Sequence, residues 1–138
     1  YSLLFSHVRE TLSLCYYCAA RYYRQKGIIL VDSGVESANA ARAREEILKQ
    51  FEVMKQGGFE EDALKASKLA MEDAFRGVSD SMDSLQEWYS SQLEEDSFVS
   101  PEEYSALISK VTKEDVIRAA QEFALDTVYL LAPKEEKA

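Results

Sequence analysis

Apolar and polar positions alternate along this chain in patterns that change period several times. Leu4, Phe5, Val8 and Leu12 recur at helical spacing and predict a first helix that stops near Ser13. From Leu14 the pattern changes. Tyr and Cys are enriched, and after Arg24-Gln25-Lys26-Gly27 comes the run Ile28, Ile29, Leu30, Val31, so two strands joined by a turn are expected, with the second ending at Gly34. Residues 37–56 carry Ala40, Ile47, Leu48, Phe51 and Met54 on one stripe and predict a long helix, which Gly57-Gly58 stops in a left-handed C-cap. Glu60, Glu61 and Asp62 crowd the first turn of the next helix, where exposed amides favour negative charge, so the two helices are expected to form a hairpin.

The following stripe runs through Leu64, Met71, Phe75, Val78, Met82, Leu85 and Tyr89, with a break at Gly77 and Ser79-Asp80-Ser81. Ser81 or Asp80 is expected to cap a further helix through about Leu93, with Trp88 and Tyr89 packed in the core. Ser100-Pro101-Glu102-Glu103 combines a capping Ser, a proline at the first helical position and a capping-box Glu, and Thr112 with Asp115 repeats the signal. The last helix, 113–124, is expected to bury Val116, Ala119, Ala120 and Phe123, and 127–131 reads as a strand ahead of a fraying tail of Lys134, Glu135, Glu136 and Lys137. The elements add up to an α+β fold: a small, mostly antiparallel sheet with helices packed on one face.

Length and composition narrow the function. A chain of 138 residues with 46% apolar and 11% aromatic residues can bury a real core, and 1–138 is read as one α+β domain. Because the opening YSLLFSHVRE already lies inside a helical pattern, that domain is expected to be a piece of a longer chain. Acidic residues outnumber basic ones by 25 to 16, and a net charge of -9 argues against nucleic acid or an anionic membrane as a partner. No apolar run is long enough to cross a bilayer, and no leader is visible at the start. Cys15 and Cys18 form a C-x-x-C inside a strand pattern, where they would point to opposite faces. Packing as small apolar residues is the preferred reading, and two free thiols fit a reducing, cytoplasmic compartment.

One spacing offers chemistry. Arg9 falls on the last turn of the first helix and Tyr16 at the start of the first strand, so a tight corner would bring guanidinium and phenol to the same sheet end, a donor set suited to peptide carbonyls. An Arg capping helix carbonyls and a Tyr packed in the sheet would explain the spacing equally, and on the residues alone that second reading is preferred. His7 and Glu10 make at most half a metal site, because no second His exists. Phosphate loops, Ser/His/Asp sets and basic aromatic patches are absent from the sequence.

The string LLFSHVRETLSLCYYCAARYYRQKGIILVDSG, followed by EEILKQFEVMKQGGFEEDALKASKLAMEDAF and VTKEDVIRAAQEFALDTVYLLAP, resembles the pitrilysin/insulinase superfamily of zinc peptidases over nearly the whole chain. The likeness runs most closely to the bacterial, non-catalytic type of subunit, with Thr11 where the family favours Lys. It implies one pitrilysin/insulinase-type domain lacking its N-terminal elements. In that family homologous halves enclose the substrate and only one half carries zinc, on an H-x-x-E-H helix that this sequence lacks. The resemblance therefore implies a substrate-clamping lobe without zinc of its own, inactive alone, whose Arg9 and Tyr16 match the family's R-x6-Y motif and bind peptide beside a homologous zinc-bearing half or subunit. The alternative is an assembly or peptide-binding module that has lost proteolysis. With the family's leading elements missing, an uncovered face would also lead to self-association.

Overall fold

A computed structural model describes residues 15–93 and 97–132; the expected first helix, with Arg9, His7 and Glu10, and the charged tail lie outside the described residues. The chain divides into two compact units, one comprising Gly57–Val116 and the other the chain through Gln56 together with the residues from Ile117 onward. The architecture is α+β, as expected from the sequence.

In the second of these units, strands β1 (Tyr17–Tyr23) and β2 (Ile28–Gly34) pair antiparallel in the register Tyr17↔Gly34 to Tyr23↔Ile28. A single 3-10 turn, Arg24–Lys26, joins them, and Gly27 closes it at φ 61°, a left-handed conformation that costs glycine nothing. Helix α1 (Ala40–Lys55) covers one face of this hairpin. Cys18 and Ala43 are buried at the centre of that contact, with Cys15, Val31, Val35, Ile47 and Phe51 packed around them. Burying these small and branched side chains together is what holds hairpin and helix as a unit. Tyr22 meets Phe123 edge to face at 6.3 Å on the same face of the sheet.

The other unit is helical. Helices α2 (Glu61–Val78), α3 (Met82–Ser90) and α4 (Pro101–Ser109) surround a cluster of Phe75, Trp88 and Tyr104, whose ring centroids lie 5.3 to 5.7 Å apart. The expected caps are formed. Ser81 accepts from the Ser84 amide, Ser100 and Glu103 make a reciprocal capping box, and Thr112 does the same with Asp115 at the start of α5 (Lys113–Glu122). Lys68 reaches across to the end of α4, donating to the carbonyls of Ser109 and Val111 at 2.7 and 2.8 Å. These are carbonyls that the helix itself leaves without partners. No described helix is long and apolar enough to cross a membrane.

Several expectations are corrected. Residues 127–131 form no strand, because they find no ladder partner among the described strands, and Tyr129 and Leu131 are exposed. Helix α3 ends at Ser90 rather than near Leu93. Met71 and Met82 are exposed, and Tyr89, expected in the core, lies at 38% exposure against the more exposed Phe98. Ala119 is exposed beside the buried Ala120. Cys15 does not oppose Cys18 across the sheet. The strand begins only at Tyr17, so the alternation rule does not reach Cys15, and both thiols join one core.

Candidate functional site

Two backbone constraints build a corner at the open end of the hairpin. Just ahead of β1, the Tyr16 amide donates to the Gly34 carbonyl at 2.7 Å, which extends the sheet by one bond. Beyond β2, the Glu36 carbonyl accepts from the Asn39 amide at 2.8 Å and opens the 3-10 turn Ser37–Asn39 that leads into α1. Between them, Val35 is tied into the core. Both ends of the corner are therefore fixed in their main chain, and their side chains are left to face outward.

A glycine makes the corner tight. The Tyr17 ring lies across Gly34, so a Cβ there would come within 2.5 Å of the ring and force it away. That close approach requires glycine opposite Tyr17.

Tyr16 itself is 66% exposed, and its hydroxyl donates to Glu36 Oε1 at 3.1 Å. Acceptance of the phenol proton by Glu36, and then the negative charge of the same carboxylate, hold the Tyr16 pKa above its usual value, with a smaller contribution from desolvation. A neutral phenol paired with an exposed carboxylate can give and accept hydrogen bonds to a ligand backbone. Of the two residues singled out in the sequence, Tyr16 stands on this surface, outside the core, and Arg9 lies outside the described residues. Glu36 was missed by sequence reasoning, because it lies 20 residues from Tyr16 and becomes its neighbour only through the hairpin register.

Metal chemistry finds no fit among the described residues, where no group of three or more His, Cys, Asp or Glu side chains is placed to hold an ion. Cys18 is buried. Burial, together with the neighbouring Cys15 and Asp32, pushes its thiol pKa up despite a hydrogen bond with Ser33, so the thiolate that a metal needs is disfavoured.

The corner lies in a segment with known relatives. A family model described as the peptidase M16 inactive domain matches residues 1–71. Over 135 residues, 98% of the chain, the sequence is 36% identical to the probable inactive metalloprotease YmfF of Bacillus subtilis strain 168, and it spans 32% of that relative's length. A crystal structure of a conserved protein from Enterococcus faecalis V583 matches 87% of this chain and 28% of its own, with a TM-score of 0.77 at 24% identity, which shows the common fold.

Proposed function

The chain belongs to the peptidase M16 inactive-domain family, and from that premise we propose that it is the substrate-clamping, non-zinc-binding lobe of a pitrilysin/insulinase-like peptidase. In this reading Arg9 and Tyr16 bind the peptide backbone, and a homologous zinc-bearing half or subunit carries out hydrolysis. The observation that carries it is the placement of Tyr16: the phenol stands exposed at a sheet end fixed by two backbone hydrogen bonds, where a tyrosine kept for packing would be enclosed. Donors held ready in fixed positions stabilise charge that develops on a substrate oxygen without reorganising during the reaction. Two unpaired thiols support a cytoplasmic setting for the assembly.

A second reading, a peptide-binding or assembly module without proteolysis, is favoured by the description of the Bacillus subtilis relative as a probable inactive metalloprotease. Reconstitution separates the two. The full chain is co-expressed with a homologous H-x-x-E-H polypeptide, sought in the same or the neighbouring reading frame, and hydrolysis of an internally quenched peptide is followed. Turnover that needs both polypeptides supports the clamping lobe; a complex that forms and binds the peptide without cleaving it supports the second reading. The chain alone is expected to hold no stoichiometric zinc and to cleave nothing, and metal analysis showing one tightly held zinc per chain would overturn that assignment.

A further inference from the structure

We infer that Glu36 is the positioning residue of the peptide site: its carboxylate accepts the Tyr16 hydroxyl and keeps the phenol in the one rotamer that faces a bound backbone. The inference rests on the reading that Tyr16 meets the peptide, and it adds a residue that neither the sequence motif nor the family description assigns.

The geometry carries it. Tyr16 is 66% exposed and does not belong to the packed core among the described residues, and its hydroxyl is tied at 3.1 Å to a side chain whose own backbone is set at φ -67° and ψ 142° by the turn into α1. Without that acceptor, an exposed tyrosine distributes over the three staggered χ1 wells. Affinity falls by the fraction of molecules in the competent state, so releasing one rotamer into three weakens binding about threefold.

Charge and orientation are separable. A glutamine at this position can still accept the phenol proton through its amide oxygen but carries no charge, whereas alanine can do neither. Glu36→Gln should therefore hold the ring while lowering the pH at which Tyr16 ionises, and Glu36→Ala should lose both effects.

The test uses the full chain with 13C-labelled tyrosine, with the Tyr16 signal assigned through Tyr16→Phe, and as probe an acetylated and amidated ten-residue peptide of Ala, Ser and Leu. Expected are a downward shift of Tyr16 ionisation in both Glu36 variants, a single ring rotamer in Glu36→Gln and several in Glu36→Ala. Peptide binding should be about threefold weaker in Glu36→Ala and within about twofold of wild type in Glu36→Gln. If Tyr16→Phe weakens binding and Glu36→Ala does not, Glu36 has no positioning role and the inference falls while the clamping reading stands. If Tyr16→Phe binds as wild type, Tyr16 does not meet the peptide, and the clamping reading and this inference fall together.

Discussion

The Gln92 side chain forms both halves of an amide pair with the main chain of Val99: its Nε2 donates to the Val99 carbonyl at 3.1 Å and its Oε1 accepts from the Val99 amide at 2.8 Å. The Trp88 indole donates to the same carbonyl at 2.9 Å, so the stretch after α3 is pinned to the aromatic cluster from two sides.

Gln92 is only 4% exposed, and replacing it with an apolar residue leaves the Val99 amide without that acceptor. Gln92→Leu is expected to cost about 1–3 kcal/mol, the usual penalty for an unsatisfied buried group, read as a lower urea midpoint. Gln92→Glu should be worse at neutral pH, where a carboxylate faces the Val99 carbonyl, and should recover on acidification. A Gln92→Leu midpoint equal to wild type would show that water replaces the pair.

Glu102 gives a pH signature. Its own amide, then the Ser100 hydroxyl and the Ser79 hydroxyl, hold its carboxyl below the usual range against a small opposing effect of burial. A carboxyl with a lowered folded-state pKa stabilises the fold above its unfolded value, and that contribution is lost as pH falls through the lowered value. Glu102→Gln is therefore expected to flatten the acid limb of a melting-temperature profile while leaving its shape above neutrality unchanged. Superimposable profiles would remove Glu102 from the acid response.

What could be read from the sequence follows the reach of each signal. Gly27, Gly57, Ser81 and the Ser100-Pro101-Glu103 box act within one turn, and the structure has a turn, a helix end or a helix start at each. The strand reading of 127–131 is local too, but a strand exists only where a partner supplies its ladder, which local pattern cannot show. Cys15 misled for a related reason: its face depended on where β1 begins, and that start is set by pairing with Gly34. At the candidate site Tyr16 was legible through a motif, whereas Glu36 required the hairpin register.

The face of the sheet opposite α1 bears on association. Tyr17, Tyr23, Ile28 and Leu30 all lie on it and are between 44% and 51% exposed. Arg21 and Asp32 share this face, and exposed apolar side chains grouped around them are the kind of surface through which the chain by itself is expected to self-associate. Sedimentation should show concentration-dependent oligomers that Leu30→Lys dissolves; a wild-type monomer at high concentration with no dye-binding surface would count against it.

The proposed clamping role of Tyr16 is tested most directly by Tyr16→Phe in the proposed assembly with a zinc-bearing half, with turnover and thermal stability measured on the same preparation. Loss of one donor to a developing oxyanion typically lowers the rate on the order of 10²-fold or more. Because the Tyr16 hydroxyl meets only the exposed Glu36 among the described residues, the melting temperature should stay within about 2 °C of wild type. The expected result is thus a large fall in turnover at constant stability. Unchanged turnover, or a fall that merely tracks unfolding, would contradict the assignment of Tyr16 to the peptide site.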